Sequence, residues 1–113
     1  MKGKQMVVPD EGTSRALCRY LGRRVHSTDG RTLGVVADVL ADARSGAVQW
    51  LVVRVAGMRP RYRTVPVNVS IEVRGRLVVP TSRHMLLAGP PVELGVALTS
   101  PDELRLRAHW TTH

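Results

Sequence analysis

The 113-residue sequence contains no phenylalanine, and aromatic residues make up only 4% of it. A core built on stacked rings is excluded, so valine, leucine and alanine have to fill the interior. Cysteine occurs once, at Cys18, so no disulfide can form within the chain. That fits a reducing compartment, and we expect a cytoplasmic protein. Among Ala16, Leu17, Tyr20 and Leu21, Cys18 reads as a small buried hydrophobe rather than a nucleophile. No apolar run approaches the roughly 20 residues needed to span a bilayer. The opening MKGKQMVVPDEGTS has two lysines but only a short apolar run, Met6 to Val8, which is not a signal peptide. We expect no membrane span.

Acidic residues are also scarce. Nine Asp and Glu stand against 17 Lys and Arg, and the formal net charge is +8. Fifteen of the cations are arginine. Such a balance favours an acidic partner, whether RNA, an anionic membrane surface or an acidic protein. The arginines are scattered rather than massed in one block, which a merely solvated surface also explains.

The motifs of common chemistry are missing as well. There is no Gly-rich phosphate loop followed by Lys and no paired-Cys zinc motif. Ser, His and Asp all occur, but no motif brings them together as a triad. Asp38 and Asp42 read as structural or surface carboxylates on one strand face. His109 and His113 are four apart, but they fall in a segment of strand periodicity and a loose tail. We expect no catalytic residue, no metal, no cofactor and no enzymatic activity.

What the chain does have is strand and turn signals. Residues 1–14 read as a flexible arm, 15–91 as one domain and 92–113 as an extension. Ser14 can cap a short turn that Gly22 stops. Arg24 to Thr28 reads as a strand, and Asp29-Gly30 as a two-residue hairpin turn. The return strand runs from Thr32 to Ala43, with Gly34 as a bulge or close-approach point. Arg44-Ser45-Gly46 turns the chain again. Ala47 to Ala56 is apolar on both faces, Leu51, Val53 and Val55 on one and Val48, Trp50 and Val52 on the other, so it needs cover on both sides.

Farther on, Val65, Val67, Val69, Ile71 and Val73 alternate with Pro66, Asn68, Ser70, Glu72 and Arg74. That is period two, the mark of a strand with one buried face. These valines and Ile71, with Leu51 and Val53, are the expected core. Leu77 to Pro80 is a fifth strand. Thr81 or Ser82 then caps a short helix ending at Gly89. The tail supports two readings. Ser100-Pro101-Asp102-Glu103 resembles a capping box with Pro at the first helical position. Leu104, Leu106, Ala108 and Trp110 alternate as a strand would, as do Leu94, Val96 and Leu98. We favour a hairpin.

In this order and spacing, Leu21-Gly22, Val25, Asp29-Gly30, Leu33-Gly34-Val35-Val36, Asp38-Val39, Asp42, Gly46, Leu51-Val52-Val53, Gly57 and Val65-Pro66-Val67 resemble the PRC-barrel family. The likeness covers about residues 17 to 91, and Thr81 to Pro91 is similar to the family's helix after the barrel. The resemblance implies an all-β fold, a small, mostly antiparallel barrel of about six strands. Its members include the cytoplasmic domain of a photosynthetic reaction centre subunit and the last domain of a ribosome maturation factor. It further implies docking to a larger assembly rather than catalysis. We expect neither the first protein's transmembrane helix nor the second's preceding domain, and so neither specific role, to carry over.

Two surfaces follow as candidates. In GMRPRYR, Arg59, Arg61 and Arg63 flank Pro60 and Tyr62. Guanidinium groups fork onto carboxylates or phosphates, and Tyr62 can stack on a base. This is the candidate partner-binding loop, for an unidentified protein or, alternatively, for RNA or the ribosome. The second is self-association as a homodimer, through Trp50, Val52, Leu104, Leu106 and Trp110. The outer face of the third strand needs a cover, and the tail supplies it either within the chain or across a twofold axis.

Overall fold

The computed structural model describes residues 18–42, 44–96 and 98–112. Besides helical residues 18–20, they include six strands and two helices: β1 (Arg24–Ser27), β2 (Thr32–Ala41), β3 (Val48–Val55), β4 (Tyr62–Pro66), β5 (Ile71–Val73), β6 (Arg76–Val79), α1 (Arg83–Ala88) and α2 (Ser100–Thr112). The expected arm at residues 1–14 lies outside the described residues. The strands make one sheet in the order β4-β3-β2-β1-β6-β5. Every pair is antiparallel except β1 with β6, which is parallel.

The turns follow the glycines, though not always in the expected geometry. Gly30 has φ 89°, and its N–H bonds to the Ser27 carbonyl at 3.0 Å. Ser27 N–H in turn bonds to the Arg31 carbonyl at 2.8 Å. The β1–β2 loop is therefore three residues long, with Gly30 in the left-handed position, rather than a two-residue turn centred on Asp29-Gly30. The Asp29 carboxylate explains the choice, because it accepts the Ser27 hydroxyl and the Arg31 N–H. These bonds, the Ser27 one first, hold its pKa below the usual carboxylate value. The primed two-residue geometry occurs instead at Arg74-Gly75 between β5 and β6, with φ of 51° and 80°.

Bulges bend β2 against its neighbours, with register shifts at Val25/His26, Val36/Asp38 and Leu40/Ala41. Gly34 sits beside the first. A Cβ there would lie 2.1 Å from the Arg54 carbonyl oxygen, so close backbone approach explains the glycine.

The period-two run from 65 to 74 is not one strand. Val65 is fully buried, but the chain leaves β4 at Pro66 and winds through a single 3-10 turn, Val67–Val69. Pro66 has no N–H for a ladder. Its carbonyl is taken by the Ser70 hydroxyl at 3.0 Å, and Ser70 N–H bonds to Val67 at 3.2 Å. The chain then re-enters the sheet at its far edge as β5. Val67 and Val69 are half-buried against the core, but Ile71 and Val73 are exposed at 63% and 47%, so they are not the core residues expected. The division also makes the strand before α1 the sixth rather than the fifth.

That short link curls the sheet. Edges of a flat six-stranded sheet would stand about 24 Å apart. The step from Pro66 to Ile71 reaches at most roughly 18 Å even if extended, and part of it is coiled. The edges must approach each other, yet no pairing joins β4 to β5. The fold is thus mostly β, a curled open sheet with helices, rather than an all-β closed barrel. Inside the curl lie Val25, Leu33, Val36, Val39, Leu51, Val53, Val55, Val65, Leu77 and Val79, closed at one end by Leu86 of α1. Ser82 caps that helix by accepting the Met85 N–H at 3.1 Å.

The tail is a helix, not a hairpin. Thr99 is its cap. The Thr99 hydroxyl accepts the Asp102 N–H at 3.2 Å, the Asp102 carboxylate receives the Thr99 N–H at 3.4 Å, and Glu103 N–H bonds to the Thr99 carbonyl at 2.9 Å. The capping box is therefore one residue earlier than the spacing suggested, and Pro101 is the second helical residue. Helix wins because α2 satisfies its own backbone and Thr99 caps its first turn. Glu103, Leu106 and Trp110, at helical spacing, are the residues turned toward the sheet.

Replacing Gly34 with Ala drives a Cβ into the Arg54 carbonyl. We expect a loss of about 2–3 kcal/mol in urea unfolding, the scale of an overpacked core. An unchanged midpoint would contradict this β2–β3 approach.

Candidate interaction surface

On β3, Leu51, Val53 and Val55 face the interior, and Trp50, Val52 and Arg54 face outward. Pairing aligns the outward residues with Leu40, Asp38 and Val35 of β2 and with Pro66, Thr64 and Tyr62 of β4. This outer face divides in two. One half, Leu40, Trp50 and Val52, packs with Leu98 and Leu106 into a second core. Buried Glu103 accepts the Trp50 indole N–H at 3.5 Å and the Arg107 guanidinium at 3.2 Å. The Trp110 indole N–H bonds to the Thr64 carbonyl at 3.1 Å.

These contacts also seal an edge. Arg61 bonds inward to Val55, so the Tyr62, Thr64 and Pro66 carbonyls point out of the sheet. Val92 N–H takes the first at 3.2 Å, Trp110 the second and Ser70 the third. The segment after α1, together with Ser70, thus protects β4 from pairing with another strand.

The residues expected to drive self-association are therefore brought together, but within one chain. Trp50, Val52 and Leu106 are buried there, and Trp110 is half-buried. Leu104 points the other way and is 69% exposed. His109 stacks edge-on against Trp110, with ring centres 5.8 Å apart. His113 lies outside the described residues.

The basic loop between β3 and β4 is rooted by α1, where Arg83 Nε donates to the Ala56 carbonyl at 3.1 Å. Its tip is open, with Met58, Arg59, Pro60 and Arg61 all exposed. The other two expected residues serve the scaffold. Tyr62 packs beside the second core. Arg63 donates to the Leu87 carbonyl at 3.4 Å and the Tyr62 carbonyl at 3.0 Å. Burial, then repulsion from Arg61, lowers its pKa. Periodicity could have warned of this, because Tyr62 and Arg63 begin a strand.

Among the described residues, no group of three or more His, Cys, Asp or Glu could hold a metal ion. Asp38 and Asp42 are used locally, accepting the N–H groups of Val39 and Arg44 at 2.8 and 2.9 Å. Cys18 is exposed, contrary to expectation. His26 is buried with neither ring nitrogen hydrogen-bonded, and pairing sets it beside Thr32 and Val78 rather than an acid. No described helix is long and apolar enough to cross a membrane.

A small curled sheet whose polar side chains serve turns, caps and edges defines a compact β module. Residues 12–86 match the family model of the PRC-barrel domain, and the chain belongs to that family. No curated protein matches it. The match ends within α1, so helix α2 lies beyond the matched residues.

Asp102 ties this cover to pH. Bonds from the Thr99 hydroxyl and the Arg105 guanidinium, in that order, hold its pKa below the usual carboxylate value. A depressed folded-state pKa contributes stability that is complete above the unfolded value and is lost as pH falls through the folded one. Tryptophan emission should therefore shift to the red in acid, below the usual carboxylate range, as the cap fails. Asp102→Ala should show part of that shift already at neutral pH. Identical profiles for the two proteins would contradict the role of the cap.

Proposed function

We propose that this protein is a non-catalytic docking module of the PRC-barrel type, working in the cytoplasm and attaching to a larger assembly through its basic loop. The observation that carries the reading is the loop tip. Met58 is fully exposed and stands beside exposed Arg59 and Arg61, on a loop whose root is bonded to α1. A rigidly rooted loop loses little entropy on binding. Arg and Met are both enriched at protein interfaces. Family membership supports the same reading, since docking rather than catalysis is what the resemblance implies.

Helix α2 already covers Trp50 and Val52, so the module does not need a twofold mate to bury them. We propose that it docks as a monomer. Light scattering should return about the chain mass of 12.4 kDa. A dimer would restore self-association as part of the function.

The second reading is an RNA- or ribosome-associated module, favoured by the net charge of +8. Two measurements separate them. Affinity capture from the native cell should retain a protein partner on the full chain and lose it with Met58→Ser, Arg59→Ser and Arg61→Ser combined. Filter binding to RNA should be weak and should vanish as salt rises, since phosphate contacts are lost with counterion competition. Tight RNA binding at physiological salt, abolished by the same three changes, would replace the first reading with the second.

A further inference from the structure

The half of the outer face that α2 leaves open carries a row of residues drawn from five strands. Arg54 of β3 is paired with Val35 of β2, and Val35 with Arg24 of β1. The parallel pairing of Val25 with Leu77 sets Arg24 beside Arg76 of β6, and Arg76 is paired with Val73 of β5. Residues directly opposite one another share a face. Each arginine is next in sequence to an interior residue, Val53, Val25 or Leu77, so the row faces outward. All five members are exposed.

Among the described residues, nothing neutralises the row. Among those residues, the ion pairs join Glu72 to Arg19 and Arg23, Asp29 to Arg31, Asp102 to Arg105, and Glu103 to Arg107. Among the described residues, none reaches Arg24, Arg54 or Arg76.

We propose that this row is a docking face for an acidic helix of a partner protein. The inference rests on the docking reading above and adds to the loop a second contact face, with the kind of partner it takes. The spacing is what points to a helix. Neighbouring strands lie about 4.8 Å apart, so Val73, Arg76, Arg24, Val35 and Arg54 follow one another at that step. A helix rises about 4.5–6 Å every three or four residues. Laid across the strands, it presents one residue to each member of the row. The complementary face is apolar, acidic, acidic, apolar and acidic, at three- or four-residue intervals. Carboxylates at those positions meet guanidinium groups, whose fork matches them in two hydrogen bonds.

Nucleic acid fits the face less well. Single-stranded binding leans on exposed rings that stack with bases. Tyr62 and Trp50 pack into the second core, Trp110 is half-buried at the covered end, and the Tyr20 ring lies under the Arg19 guanidinium at 5.5 Å. Val35 lies between Arg24 and Arg54, and Val73 flanks Arg76, so the row itself carries no ring.

The test uses the full chain and a labelled helical peptide carrying Val, Glu, Glu, Leu and Glu at those intervals in an alanine-rich background, followed by fluorescence anisotropy at low salt. A peptide of the same composition with the Glu order permuted is the control. The patterned peptide should bind more tightly than the permuted one. Arg24→Gln, Arg54→Gln and Arg76→Gln combined should weaken it by about tenfold or more. The loop variant Arg59→Ser with Arg61→Ser should retain it. Equal binding of the two peptides overturns the proposal, as does binding unaffected by the row variant while its melting curve matches the parent. Tighter binding of a short RNA, lost in the row variant, overturns it in favour of nucleic acid. Native-cell capture separates the two levels. A partner lost by the loop variant but kept by the row variant leaves the docking reading standing and removes this face. No partner retained by the unaltered chain removes the docking reading itself.

Discussion

Strand β3 is apolar on both faces, and the rest of the molecule is arranged around covering it. Leu51, Val53 and Val55 are covered by curling the sheet. Trp50 and Val52 are on the wrong side for that solution and need a second layer. Leaving them in water would forgo roughly 1.5–3 kcal/mol for each large side chain. The chain meets the need with helix α2, which turns Glu103, Leu106 and part of Trp110 toward the sheet and leaves Leu104 and most of its polar residues in solvent.

The same cover does three things at once. Leu98 and Leu106 exclude water from Trp50, the Trp110 indole occupies a carbonyl on the free edge of β4, and Glu103 receives the Trp50 indole N–H. A buried carboxylate is costly unless paired, and Arg107 one turn later supplies the charge. Because α2 covers one half of the outer face only, the arginines of the other half stay in solvent. Cover and arginine row are thus adjacent parts of one sheet face.

Most of the sheet was legible in the sequence, because its signals are local. The glycines at 30, 34 and 46 mark turns or a close approach, and Leu51 to Val55 alternates under a two-sided apolar pattern. Two parts were misread for identifiable reasons. The run from Val65 to Val73 keeps period two, but Pro66 withdraws an N–H and Ser70 closes a turn on its carbonyl, so alternation continues while the chain changes edge. In the tail, strand alternation at Leu104, Leu106 and Trp110 competed with the three-then-four spacing of Glu103, Leu106 and Trp110. That spacing is hard to see when one buried member is a glutamate. The candidate loop was half legible: Arg59 and Arg61 are exposed as expected, while Tyr62 and Arg63 belong to β4. The arginine row was not legible, since Arg24, Arg54 and Arg76 come together only through strand pairing.

The central claim is that Trp50 is covered by its own chain. Acrylamide quenching of Trp50 fluorescence in a Trp110→Phe variant, leaving one tryptophan, tests it across a dilution series from micromolar to nanomolar protein. Cover within the chain predicts strong protection that does not change with concentration. Quenching that rises on dilution would show the cover to come from a second copy, and easy quenching at every concentration would show that α2 does not cover the face at all.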